Sequence, residues 1–261
     1  MKGKFFIGMV IIVVLLFVSS CFQAQAETTG YLYYAGGGVP TTEDGNPALD
    51  GDLTGDLGVF SVLVADVYAG SGKVEDWRYA TDASNKLAGH DDSAGFSWMF
   101  LENCVHVYNG YLYVGPGDWN VDSTRVTADL VAWAQINESN GTLGSWSYSD
   151  PIIDDGDDQA ICATAIVDFG EGNAYYYVLG GTGGALSRVA LAKINPDGSL
   201  GSWSSTTDLP NGYWFNRATA VGDTIIHGTG HQNPDDNRHI HYTTASPTDG
   251  APRDLAGRRQ L

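Results

Sequence analysis

Cysteine is scarce in this 261-residue chain, three in all, and so are basic residues: 13 Lys and Arg stand against 31 Asp and Glu, for a net charge of −18. An acidic excess of this size argues against nucleic acid or an anionic membrane surface as partner, since both are held by basic faces. Three cysteines cannot supply the dense disulfide framework of a small secreted domain. The chain has one long apolar run, Phe5 to Val18. Nothing after it reaches the roughly 20 residues that a membrane-crossing helix needs. Also missing are a Gly-x-Ser-x-Gly elbow, a phosphate-cradling glycine loop and a His-Glu-x-x-His pair. No long stretch of Ala, Leu, Glu and Lys at helical spacing occurs, which leaves little room for helix.

What is present begins with a leader. Lys2 and Lys4 precede the Phe5–Val18 run, and small and polar residues follow to Ala26, the layout of a secretory signal over residues 1–26. Two processing patterns coexist in it. Val18-Ser19-Ser20-Cys21 resembles a bacterial lipobox, in which Cys21 would carry a lipid anchor. Ala24-Gln25-Ala26 fits ordinary cleavage, in which Cys21 is discarded. Both imply export, with the mature chain extracellular, periplasmic or membrane-anchored and without a transmembrane span. The remainder is rich in turn formers and strand formers, with 34 Gly, 14 Tyr and 11% aromatic residues in the whole chain, a composition that suits an all-β domain.

Internal repetition is the strongest signal. Residues 130–146 read LVAWAQINESNGTLGSW and residues 188–203 read RVALAKINPDGSLGSW, which puts Trp146 and Trp203 57 residues apart. A more diverged copy, VLVADVYAGSGKVEDW, lies at 62–77. Each is preceded by an aromatic strand ending in glycines: YLYYAGGG at 31–38, YLYVGPG at 111–117, YYYVLGGTGG at 175–184 and a fainter TIIHGTGH at 224–231. Before these come CVHVYNG at 104–110, CATAIVD at 162–168 and RATAVGD at 217–223, whose Asn, Asp and Gly ends are hairpin turns. The unit predicts four antiparallel strands: a (CATAIV), b (YYYVLGG), c (RVALAKI), a tight Asn-Pro-Asp-Gly turn, and d (LGSW).

Four such strands in a period above 50 residues match the blade of a β-propeller. The glycine pair after an aromatic strand, followed 22 residues later by a tryptophan (Gly181 to Trp203), resembles the kelch repeat of galactose-oxidase-type propellers. The Asn-Pro-Asp-Gly-Ser-Leu-Gly-Ser-Trp ending is similar to the version in bacterial exported proteins. The resemblance implies a kelch-like propeller over residues 27–250, with about four blades where six or seven are usual for the family. The first blade lacks its own strand a, and residues 251–261, APRDLAGRRQL, replace the expected Leu-Gly-Ser-Trp with a degenerate tail. The expectation is therefore an incomplete propeller, a fragment of a longer protein.

The repeat also sorts the candidate functional residues. Trp77, Trp146 and Trp203 are in register and are expected to pack between blades. Cys104 and Cys162 both start a strand a, where Arg217 stands in the next unit, so blade rotation should part them and two buried thiols are expected. Trp98, Trp119 and Trp214 fall in connections that emerge on one loop face, where flat aromatics stack on sugar rings or simply pack on the blade. His106 and Arg217 lie on strands a, nearest the axis. Asp50, Asp52 and Asp56 alternate as in a calcium loop with glycine at its sixth position, yet Ser61 stands where a bidentate Glu belongs, so the segment reads as a calcium site or as a solvated acidic loop. His239 and His241, two apart on a predicted strand c, have a spacing that suits a metal or merely marks exposed histidines.

Function follows only in outline. The reading is a non-enzymatic exported binding module without a required cofactor, presenting a loop face to a glycan or a protein. The alternative is a sugar-processing enzyme resembling bacterial kelch-type sialic-acid mutarotases, which would need Arg, His and Glu side chains converging at the mouth of the channel. None of the copper ligands of galactose oxidase maps onto these residues.

Overall fold

The computed structural model describes residues 28–35, 62–80, 104–115, 130–152, 163–179, 189–206, 217–228, 239–253 and 259–260. Among them there is no helix, and the strands form four antiparallel meanders. The first sheet holds β1 (Thr28–Ala35), β2 (Val62–Tyr68) and β3 (Val74–Tyr79). The second holds β4 (Val105–Tyr108), β5 (Tyr111–Val114), β6 (Ala132–Gln135) and β7 (Ser147–Tyr148). The third holds β8 (Thr164–Asp168), β9 (Ala174–Leu179), β10 (Val189–Ile194) and β11 (Ser204–Ser205). The fourth holds β12 (Arg217–Val221), β13 (Thr224–Gly228), β14 (His239–Ala245) and β15 (Pro252–Arg253), with β16 (Arg259–Gln260) also on β14. Strands a, b, c and d of the repeat are thus β4 to β7, β8 to β11 and β12 to β15. No described strand supplies strand a to the first sheet. Pro252–Arg253, inside the segment that reads as a tail, takes the place of strand d and pairs with Thr244 and Ala245.

The sheets stack face to face in chain order, and one apolar cluster fills each interface. Val62 and Val64 of the first sheet meet Leu112, Val114 and Ala134 of the second. Tyr113 and Trp133 of the second meet Tyr176, Val178 and Ala190 of the third. Tyr177 and Leu191 of the third meet Ile225 and Ala245 of the fourth. Strand alternation produces this, because successive residues of a central strand point to opposite faces: Leu112 points back and Tyr113 forward. The inner strand β8 comes within 8 Å, Cα to Cα, of β4 on one side and β12 on the other. The sheets therefore converge at strands a, as blades do around an axis, and the architecture is β-propeller-like.

Three repeated contacts lock neighbouring blades. Tyr33, Tyr113 and Tyr177, equivalent on strands b, donate their hydroxyl protons to the carbonyls of Gly141 (2.8 Å), Gly198 (2.8 Å) and Gly250 (2.5 Å) in the c–d turn of the following blade. Two residues earlier, the rings of Tyr31, Tyr111 and Tyr175 lie flush on the same glycines, so that a Cβ there would come within 2.6–2.7 Å of ring carbon. With φ of +71°, +80° and +73°, these positions require glycine twice over, for backbone conformation and for room. The counterpart in the first sheet, Gly72 (φ +64°), has nothing within 4 Å of a Cβ.

Two expectations need correction. Leu-Gly-Ser-Trp is not strand d but its approach. Leu143 and Leu200 bridge to Ile136 and Ile194, the register then slips by one residue across the Ser-Trp step, and pairing resumes at β7 and β11. The same slip lies between β2 and β3 at Asp76-Trp77. It is a β-bulge, which twists the edge strand and re-aims the tryptophan. Trp146 and Trp203 then pack back onto the preceding interface, and Trp203 donates its indole proton to the carbonyl of Asp150 (3.0 Å). Trp77 does not pack between blades; it is 39% exposed, because no described strand lies behind the first sheet. Leu32 is 45% exposed for the same reason, whereas its counterpart Leu112 is 0% exposed.

Strand a also differs from expectation. The backbone bond from Gly115 to Cys104 recurs as Leu179 to Ala163, so Ala163, not Cys162, is the counterpart of Cys104. The longer turn at 169–173 between β8 and β9 shifts the alignment by one residue. Cys104 is a buried thiol, and Cys162 lies outside the described residues.

Candidate functional site

The two ends of the blades differ in kind. At one end sit the short a–b turns (109–110, 169–173, 222–223) and c–d turns (69–73, 137–142, 195–199, 246–251), with the tyrosine–glycine locks among them. These turns are built by local polar contacts; Asp197, for example, accepts from both the backbone and the hydroxyl of Ser199, which holds its carboxyl below the usual range. At the other end, the described strands b and c, and d and the next a, run into the longer connections 36–61, 80–104, 115–131, 149–163, 180–188, 206–216 and 229–238. Trp98, Trp119 and Trp214 belong to these connections and lie outside the described residues, as do Asp50, Asp52, Asp56 and Cys21.

His106 and Arg217 are both described, and both sit on innermost strands near the long-connection end. His106 is the second residue of β4 and Arg217 the first of β12, with β8 between them, so the fold places them on separate blades. The His106 ring spans the interface to the third blade: Nε2 is 2.7 Å from Thr164 Oγ1, and the ring meets Tyr176 edge-on with centroids 5.8 Å apart. Burial pushes its pKa down to about 4, against the opposing effect of the contact with Thr164. The imidazole is therefore neutral at physiological pH. Arg217 is half-buried, its backbone paired with Gly228.

Around His106 lies a small polar nest. Thr164 is fully buried, and the Tyr176 ring packs against Tyr113 (5.8 Å) and Trp203 (6.4 Å). The Tyr176 hydroxyl, Thr164 and Cys104 converge on Gly115, where an added Cβ would come within 2.9–3.1 Å of all three. Burial raises the Tyr176 phenol far above its ordinary pKa, so it stays protonated. In the fourth blade, His227 and His241 face each other across the β13–β14 ladder. Sequence spacing paired His241 with His239 along one strand; the ladder pairs it with His227 on the next. Among the described residues no group of three or more His, Cys, Asp and Glu gathers.

No protein-family model matches the chain, and no curated relative does. Solved structures do resemble it. One, titled "Structure of YjhT", has a TM-score of 0.45 and 15% identity over 89% of this chain and 69% of that one. Another is a glycoside hydrolase family 43 arabinoxylan arabinofuranohydrolase from Bacillus subtilis in complex with cellotetraose, with a TM-score of 0.39 and 18% identity over 89% of this chain and 51% of that one. Likeness at this level carries nothing about the ligand or chemistry of this chain.

The tyrosine–glycine lock is not evident from the repeat motifs alone, although its signal is there: Tyr-x-Tyr recurs at 31–33, 111–113 and 175–177, and each following c–d turn holds a glycine, which at Gly141 and Gly198 stands two residues before the Leu of Leu-Gly-Ser-Trp.

Proposed function

We propose that this chain is an exported, kelch-type binding module that engages a glycan through the face carrying its long connections, without chemistry of its own. The observation that supports this reading is the asymmetry of the blades: one end is fastened by repeated turns and tyrosine locks, and from the other the described strands lead into the longer connections. A rigid scaffold with variable loops on one side is the arrangement that binding proteins use. Those loops carry Trp98, Trp119 and Trp214, whose flat faces suit sugar rings, and an acidic chain favours neutral or cation-bearing glycans over polyanions. Residues 1–26 would direct export, with Cys21 as the anchor point if the lipobox is used.

The sugar-processing alternative draws on the placement of His106 and Arg217 on innermost strands. Against it, the His106 ring is committed to Thr164 and Tyr176.

The test is a titration of the mature chain with a panel of soluble neutral oligosaccharides, read by tryptophan fluorescence and calorimetry. The binding reading expects saturable quenching that falls at least tenfold in affinity when Trp98, Trp119 and Trp214 are changed together to Ala, with unchanged melting and unaltered sugar product. Binding that ignores all three tryptophans, or turnover that depends on His106 and Arg217, would reject it.

A further inference from the structure

One rung of the blade ladder departs from the repeat. The last inward pair of strands b and c is Val114 opposite Ala132 in the second sheet and Val178 opposite Ala190 in the third. In the fourth sheet the same rung is His227 opposite His241. These positions face the preceding blade; Ile225, two residues before His227 on the same side, belongs to the cluster shared with the third sheet. His227 is 2% exposed and His241 4%. The rings lie 6.3 Å apart, centroid to centroid, with planes 28° from parallel. Neither ring nitrogen of His227 has a hydrogen-bond partner among the described residues.

A buried imidazole with both nitrogens unpaired is costly, and such groups in native proteins point to a missing water or ion. The site replaces a Val–Ala pair that packs well in two other blades, so packing gives no reason for histidine. We infer that His227 and His241 together bind a zinc-class divalent ion, a borderline metal that takes neutral imidazole as ligand. Zinc bonded at about 2.0–2.1 Å to one nitrogen of each ring sets the ring centres about 5–6 Å apart, close to the spacing present, once the rings turn from stacked to converging. Water or other acceptors would complete the shell. Two protein ligands make the site weaker than a structural zinc centre, and the ion would join strands b and c of this blade.

The test uses the full mature chain, stripped of metal by chelator, and zinc as the probe. Calorimetry is expected to show one zinc per chain, and the thermal midpoint is expected to rise with zinc. His227→Val with His241→Ala restores the repeat's own Val–Ala rung; this variant should fold with an equal or higher midpoint without metal, and bind zinc at least tenfold more weakly. Should single alanine variants misfold, this double variant still decides the matter. His231→Ala with His239→Ala, measured alongside, is expected to retain the zinc-dependent rise. A wild-type chain indifferent to zinc, or a folded double variant that binds it as tightly as wild type, overturns the inference.

Discussion

Gly198→Ala and Gly72→Ala are the same substitution at equivalent turn positions, and the tyrosine lock predicts different costs for them. Both glycines have positive φ, +80° and +64°, so alanine pays a left-handed backbone strain of about 1–2 kcal/mol at either site. At Gly72 nothing lies within 4 Å of the new Cβ, and the cost stops there. At Gly198 the Cβ would sit 2.6 Å from three ring carbons of Tyr111. Ring or turn must move by about 1 Å, an overpacking cost of about 1–3 kcal/mol. The same movement strains the bond from the Tyr113 hydroxyl to the Gly198 carbonyl, worth about 1 kcal/mol. The expected totals are about 3–6 kcal/mol for Gly198→Ala and about 1–2 kcal/mol for Gly72→Ala. Guanidinium unfolding followed by tryptophan fluorescence measures both, and equal losses would refute the lock as an energetic contact between blades.

Blade position sets other outcomes. Leu112→Ala should cost about 2–5 kcal/mol, since Leu112 is fully buried, while Leu32→Ala, at the exposed counterpart, should stay within about 0.5 kcal/mol in the same denaturation experiment. His106 makes stability depend on pH. Its pKa falls from about 6.5 unfolded to about 4 folded, so its contribution is present above pH 6.5 and is lost as pH drops toward 4, by up to about 3 kcal/mol. His106→Gln, which keeps a donor toward Thr164 but cannot titrate, should flatten that stretch of the stability profile; an unchanged profile would assign the dependence to other groups.

Much of the fold was legible because a repeat displays its own register. The apolar strands b and c, the Asn-Gly turn at 109–110 and the polar c–d turns are local features, each written in a few consecutive residues. What escaped depends on partners distant in sequence or on small slips. The bulge at Trp77, Trp146 and Trp203 is a single extra residue that leaves the pattern of residue types intact. The displaced alignment of Cys162 came from a turn a few residues longer than its counterparts. The exposure of Trp77 follows from what lies behind the first sheet, which no local motif reports. The facing of His227 and His241 needs the ladder register, since 14 residues separate them in the chain. Of the candidate site, the sequence located His106 and Arg217 on inner strands but could not show that the His106 ring is spent on a neighbouring blade.

The division of the blades into a fastened end and a binding end is tested most directly by hydrogen–deuterium exchange of the mature chain with and without the tightest-binding oligosaccharide of the panel. Ligand protection is predicted in peptides from the long connections, above all those containing Trp98, Trp119 and Trp214, with the turns at 109–110, 137–142 and 195–199 unchanged. Protection confined to those turns would contradict the account.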